Sequence, residues 1–316
     1  MTPDILCIGS VLWDVIGRSP SHMRVGSDVP GRINRIPGGV AMNIAMTLKR
    51  FGLSPALLTS IGRDAEGDEL IREAEKIGLN CDHIYRSEDL PTDVYMAIEG
   101  GNGLIAAIAD AHSLEAAGEK ILSPIADGAV GTDIPIALDG NLTVSLLQSI
   151  AQDPMFGSAD LRVAPASPGK AERLLALIGH SSATLYVNLE EANLLCQSNH
   201  NSSEEAALAL VEKGANRVLV TDGGNSASEA STGFVQTLKP PSVLVTRVTG
   251  AGDTFMAAHI ASEVQGLDKT DALQRALLAA ASGCIGRNTP DVACAVAVDA
   301  AVAPVGAGAR ASVGCT

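Results

Sequence analysis

Asp4-Ile5-Leu6-Cys7-Ile8-Gly9-Ser10 is a short apolar run that stops at a Gly-Ser pair. Four consecutive apolar residues bounded by turn formers read as a strand buried on both faces, as a parallel sheet requires. Outward from it, Gly38-Gly39 opens a helical pattern that runs through Phe51 and stops at Gly52. Ala56–Ile61 reads as a second strand, and Asp64–Ile77 as a charged amphipathic helix closed by Gly78. The alternation resumes with Ile134–Leu138, the helix Leu142–Ile150, Leu161–Ala164, the helix Gly169–Ile178 and Thr184–Val187. Glu204–Lys213 is helical and Arg217–Thr221 a strand; Gly252–Gln265 and Ala272–Ile285 are long Ala-rich helices. A frayed tail is expected over Val302–Thr316, which is rich in Gly and Ala. Strands alternating with helices build βαβ units, so the fold class expected is α/β with a doubly wound, mostly parallel sheet.

Two segments break the rhythm. Trp13–Ile36 holds short alternating runs with Pro20, Pro30 and Gly31 and no long helix. Thr92–Asp110 reads as a hairpin, two β-prone runs around Gly100-Gly101-Asn102-Gly103. Together they predict a small antiparallel sheet inserted on one edge of a single domain over residues 1–316, with insertions at about 13–36 and 92–110.

Composition bounds the partners. Of 316 residues, 46% are hydrophobic and 18% charged, which excludes a disordered chain. The net charge of −14 repels a nucleic-acid backbone, so none is expected as a partner. No run of 18 apolar residues and no signal peptide is found, so no membrane is expected either. The six cysteines, at 7, 81, 196, 284, 294 and 315, form no C-x-x-C pair. That disfavours a zinc or disulfide framework and suits a reducing, cytoplasmic compartment.

The chemistry concentrates in Thr249-Gly250-Ala251-Gly252-Asp253, at the mouth of a helix. Two glycines around one alanine let backbone N–H groups converge where the helix dipole adds positive charge, an anion cradle. Asp253 is an N-cap or a general base. There is no G-x-x-x-x-G-K-[ST] and no G-x-S-x-G, and Gly250-Ala251-Gly252 lacks the third Rossmann glycine.

This stretch resembles the C-terminal signature of the ribokinase-like (PfkB) carbohydrate kinases. Gly38, Gly39 and Asn43, within PGGVAMNIA, resemble their N-terminal signature. Asn188-Leu189-Glu190-Glu191 is similar to their N-x-x-E motif, and Thr221-Asp222-Gly223-Gly224 to their nucleotide-binding turn. All four lie in family order and span nearly the whole chain. At the subfamily level, the hairpin 92–110, Asp139-Gly140-Asn141, and Pro165-Ala166-Ser167 with Lys170 are similar to segments of pseudouridine kinases. The sequence departs at Leu12, Ala164, Ser226, Arg247 and Val248. Arg247 leaves open the monovalent-cation site that some relatives build there.

The resemblance implies a ribokinase-like fold with a β lid, and transfer of the γ-phosphoryl of ATP to a primary hydroxyl, here the 5′-hydroxyl of pseudouridine or of another ribonucleoside or sugar. A non-catalytic nucleotide sensor is the reading of another class, and the kept Asp253 opposes it. Asp253 would be the base, and the Gly250, Ala251 and Gly252 cradle would hold the transferring phosphoryl. Asp14, Gly38, Gly39, Asn43, Thr92, Asp110 and Asn141 would meet the nucleoside. Asn188, Thr221, Gly223 and Thr249 would meet ATP. Glu191 and Asn188 would place Mg²⁺ through water, against a plain reading as helix cap and first-turn acid. Lys170 reads as a solvated helix-start residue rather than a ligand; Trp13 either stacks on a base or fills the lid sheet, and Tyr95, with Thr92 and Asp110, either faces the nucleobase or lies on a polar exposed sheet face. Family lids often lend an edge to a partner chain, so a homodimer is expected.

Overall fold

Every side chain of β1 (Ile5–Ile8) is buried. Leu6 and Ile8 join one core layer while Ile5 and Cys7 join the other, the alternation of a strand covered on both faces. The structure, a computed structural model, describes residues 2–243 and 250–284. The expectations on Arg247, Val248, Thr249 and the tail lie outside the described residues.

β1 runs parallel to β4 (Pro55–Leu58) on one side and to β9 (Ile136–Asp139) on the other. Beyond β9 follow β10 (Leu161–Ala164), β11 (Ala183–Asn188) and β12 (Arg217–Thr221), all parallel. An antiparallel pair that the sequence reading did not foresee, β13 (Ala227–Ser231) and β14 (Phe234–Leu238), ends the eight-stranded sheet. Its polar sequence hides it: Glu229 is fully buried, and only its bonds from Arg217 and Gln236 allow that.

Helices cover both faces. α1 (Val40–Arg50), α2 (Ala65–Ile77), α8 (Ala251–Val264) and α9 (Lys269–Cys284) pack on one side. α3 (His112–Ala117), α4 (Ser123–Ala126), α5 (Val144–Gln152), α6 (Leu189–Cys196) and α7 (Ser203–Glu212) pack on the other. α2 has the ends its sequence announces: the Asp64 side chain accepts from Gly67 N, and Gly78 closes the helix in the left-handed region. The expected helix over 169–178 is instead a 3₁₀ run, Pro168–Leu177. Its buried residues, Ala171, Leu174 and Leu177, recur at every third position, the period of that tighter coil.

The expected strand over 56–61 divides at Thr59. β5 (Ser60–Gly62) leaves the main sheet and pairs in parallel with β6 (Tyr85–Ser87). The small sheet has the order β3-β2-β7-β8, from β2 (Leu12–Arg18), β3 (Arg32–Gly38), β7 (Val94–Gly100) and β8 (Gly103–Asp110). It is not purely antiparallel, because β2 and β7 are parallel: both leave the main body in the same direction. Among the described residues no helix is long and apolar enough to cross a membrane.

Chain order turns back at β1, with β4 to one side and β9 to the other. In an open parallel sheet that reversal leaves a crevice beyond the C-terminal strand ends. The loops after β1, β9, β10, β11 and β12 meet there.

Candidate active site

Gly250 caps α8 at φ 82°, in the left-handed region that favours glycine. A Cβ built on Gly250 or Gly252 would meet nothing within 4 Å. Protein packing therefore does not demand Gly252. The space over the first turn of α8 is open to a ligand, and the turn's N–H groups carry the helix's partial positive charge. A phosphoryl group fits this cradle.

Asp253 stands in that first turn. Its Oδ2 accepts from Asn43 Nδ2 at 2.9 Å. Burial pushes its carboxyl up to about 7; Asp139, Asp14 and Glu191 push the same way, and the Asn43 bond opposes them. A carboxylate poised near neutrality suits a general base. The far end of α8 is anchored by Glu263, which pairs with Arg162 of β10 and Arg217 of β12, and by His259, whose Nδ1 lies 2.9 Å from the Tyr186 hydroxyl of β11.

Gly38 and Gly39 are required by close approach. A Cβ on Gly38 would overlap the Asp14 carboxylate at 2.1 Å, and one on Gly39 would meet Ser10 O at 2.4 Å. The pair thus brings Asp14 and the Ser10 turn together at the start of α1. Asp14 acts electrostatically on both Asp253 and Tyr95, which places its charge toward the crevice.

Ser10, Asp139 and Asn141 form a network that the sequence did not reveal. Asp139 is fully buried; its Oδ2 accepts from Ser10 N at 2.8 Å and Ser10 Oγ at 2.5 Å. Its Oδ1 accepts from Asn141 N at 2.7 Å and Asn141 Nδ2 at 3.0 Å. Ser10 Oγ also accepts from Val40 N, which ties the network to the first turn of α1. Lys170 is no solvated helix-start residue. It is half-buried, and its Nζ donates to Asn141 Oδ1.

Asn188 and Glu191 make a reciprocal capping box on α6, with Asn188 Oδ1 accepting from Glu191 N and Glu191 Oε2 accepting from Asn188 N. Burial pushes the Glu191 carboxyl up. Among the described residues no group of three or more His, Cys, Asp and Glu could hold a metal. Mg²⁺ needs no such cage; one carboxylate with phosphate oxygens and water is its usual setting, and Glu191, whose charge acts on Asp253, fits that. Register sets Thr221 opposite Asn188 at the sheet edge, followed by the open turn at Gly223.

Two expected contacts are not brought to this crevice. Thr92 is buried, and both its N–H and its hydroxyl donate to Asp64, so it fastens the hairpin's base to α2. Asp110 pairs with His112. Strand register sets it beside Val94 and Trp13, on the sheet face opposite Asp14 and Tyr95.

Residues 2–288 match the family described as pfkB family carbohydrate kinase. The chain belongs to that family. It is a kinase that transfers phosphate to a hydroxyl of a small molecule, and kinases of this type use ATP, usually with Mg²⁺. This kinase is similar to the pseudouridine kinase of Escherichia coli (strain K12), 26% identical over 92% of this chain and 94% of the relative. It is similar to the guanosine-inosine kinase of Exiguobacterium acetylicum, 28% identical over 88% and 93%. Its fold matches Arabidopsis thaliana ribokinase, solved with ribose and ATP, at TM-score 0.70 and 19% identity over 94% of this chain and 99% of that one.

Proposed function

We propose that this kinase transfers the γ-phosphoryl of ATP to the 5′-hydroxyl of pseudouridine, giving pseudouridine 5′-phosphate and ADP. The observation that carries the reading is Asp253: a desolvated carboxyl near neutrality, held by Asn43 in the first turn of an open helix cradle. Phosphoryl transfer asks a protein for positioning and charge neutralisation rather than covalent chemistry. Asp253 takes the proton of the attacking hydroxyl. The amides of Ala251, Gly252 and Asp253 stabilise charge on the moving phosphoryl. Asp14 accepts from sugar hydroxyls, which Gly38 and Gly39 allow to come close. Thr221 and Gly223 border the nucleotide. Mg²⁺, when bound, neutralises phosphate charge, with Glu191 and Asn188 holding its water shell. The Escherichia coli relative supports pseudouridine as the acceptor. The guanosine-inosine kinase, at similar identity, supports a second reading with a purine ribonucleoside.

The small sheet acts as a lid. Its outer face, away from Asp14, exposes Ile33, Met96, Ile98 and Ile108, and a second copy of the chain covers it.

The test is ADP release by the purified protein on a panel of pseudouridine, uridine, guanosine, inosine and D-ribose, with the product located by ³¹P NMR. The highest kcat/KM on pseudouridine is expected. A clear preference for guanosine or inosine establishes the second reading, and ATP turnover on none of the panel overturns both.

A further inference from the structure

The small sheet joins the main body at the starts of β2 and β7 and at the ends of β3 and β8. Asp93, the residue before β7, ties three of these points together. Its carbonyl accepts from Trp13 N of β2 at 3.2 Å. Its side chain crosses to the turn after β8, where Oδ1 accepts from Ser113 N at 2.8 Å and Oδ2 from Leu114 N at 3.0 Å. Both amides lie in the first turn of α3, which belongs to the main body. Leu114 and Ala117 are buried in the same core as Ile8 and Leu58, and Ser113 Oγ lies 3.0 Å from Ser60 Oγ. Thr92, one residue earlier, is bonded to Asp64, the cap of α2. Two neighbours in the chain are thus fastened to helices on opposite faces of the main sheet, and at the next residue the small sheet begins.

α3 alone does not require this arrangement. A helix ordinarily takes its cap from the residue before it, where Ser, Thr, Asp or Asn accepts from the first turn. Here that residue is Ala111, whose side chain has no acceptor. The cap comes instead from a carboxylate 20 positions before Ser113. Asp93 is buried, and burial pushes its carboxyl up to about 6, against the two amide bonds that favour its charge. A hydroxyl at position 111 would cap α3 without burying a charge, but it would leave the root of β7 untied.

We infer that Asp93 is a positioning residue for phosphoryl transfer, fixing the root of the small sheet on the main body so that the sheet closes over the acceptor. This rests on the reading of the small sheet as a lid. A lid loose at its root closes incompletely, and water then competes with the acceptor hydroxyl for the phosphoryl group.

The test compares the wild type, Asp93→Ala, and Asp93→Ala combined with Ala111→Ser, which returns an acceptor to α3 but not the tie to β7. The readouts are phosphorylated nucleoside per ADP released, KM for each substrate, and melting curves. The acceptor is pseudouridine, or guanosine or inosine if the panel selects one of them. A lost hydrogen bond to a charged group corresponds to about tenfold or more. Asp93→Ala is expected to lower the ratio by about tenfold and to raise KM for the nucleoside while KM for ATP holds. The double variant is expected to melt above Asp93→Ala and to keep its low ratio. Asp93→Asn, which keeps one acceptor for one amide, takes the place of Asp93→Ala if that variant does not fold, with a loss in the same direction. An unchanged ratio with a lowered melting point, a ratio restored by Ala111→Ser, or equal rises in KM for both substrates makes Asp93 a helix cap and overturns the inference while the lid stands. A wild type that releases ADP as fast without nucleoside as with it overturns the lid reading and, with it, the inference.

Discussion

Asn43 and Asp253 are 210 positions apart in the chain, yet Asn43 Nδ2 donates to Asp253 Oδ2 at 2.9 Å. The bond joins the first turns of α1 and α8, so the helix that follows the Gly38-Gly39 turn orients the residue assigned as base. It also favours the ionised carboxyl against the burial that disfavours it.

Asp253→Asn is expected to bind ATP and to lower kcat by roughly 10²- to 10⁴-fold, the range for a lost general base. In the wild-type protein kcat/KM should fall as pH drops through about 7, where Asp253 gains its proton. Asn43→Leu removes the bond that favours the carboxylate, so its acidic limb should move to higher pH. Stability has the opposite sign. A carboxyl raised in the folded state binds its proton more tightly there than in the unfolded chain, so its contribution is lost as pH rises from about 4 to about 7. Asp253→Asn should therefore melt above the wild type at pH 8 and converge with it toward pH 4. An acidic limb unmoved by Asn43→Leu would separate Asn43 from the base.

Glu191→Gln separates cap from metal. Glutamine can still accept from Asn188 N, so the capping box and the melting temperature should be nearly kept. The lost charge should raise the Mg²⁺ concentration for half-maximal activity by about tenfold. A magnesium titration with a melting curve reads both, and a lowered melting point with unchanged Mg²⁺ dependence would leave only the cap.

Ser10→Ala tests the buried network. It leaves Val40 N without its hydroxyl partner and Asp139 with one donor fewer. Urea unfolding should show a loss of about 1–3 kcal/mol. KM for the nucleoside should rise more than KM for ATP, because the Gly39 turn and Asn141 both lean on Ser10.

The outer lid face gives a test of assembly. Ile33 and Ile108 are 77% and 69% exposed, which is unusual for isoleucines that share one sheet face. Ile33→Lys with Ile108→Lys should convert a dimer to a monomer by light scattering. A monomeric wild type would remove the second copy from the reading.

The parts legible in the sequence are those whose signal is local. The apolar run of β1, Asp64 and Gly78 at the ends of α2, and the Gly250–Asp253 turn each carry their structure within a few residues. Illegible were properties that depend on distant partners. Asp139 meets Ser10 across 129 positions, and nothing near either residue announces it. Thr92 is held by Asp64, 28 positions away, and Asp110 falls on the hairpin face opposite Tyr95, which one residue of register decides. The 3₁₀ run is not announced either: Leu174, Leu175, Ala176 and Leu177 are all apolar, and only burial in the fold picks out Ala171, Leu174 and Leu177 at threes.

The hairpin β7–β8 gives a test of the lid. An open site admits water, which can itself accept a phosphoryl group, and a lid that closes over substrate excludes it. The hairpin is held at both ends. At its base Thr92 is bonded to Asp64; at its tip Gly101 N donates to Ser21 O at 2.9 Å, and Asn102 Oδ1 accepts from Met23 N at 3.1 Å. Replacing Gly100–Gly103 by a shorter turn removes the tip contacts and leaves the base. Nucleoside phosphorylation should then fall, ATP affinity should hold, and ATP hydrolysis should rise relative to transfer. If the sheet only shields an edge, the same change would lower solubility or stability and leave that ratio alone. The ratio of phosphorylated nucleoside to total ADP, with a melting curve as control, separates the two. An unchanged ratio with a lowered melting point would make the small sheet a passive cover.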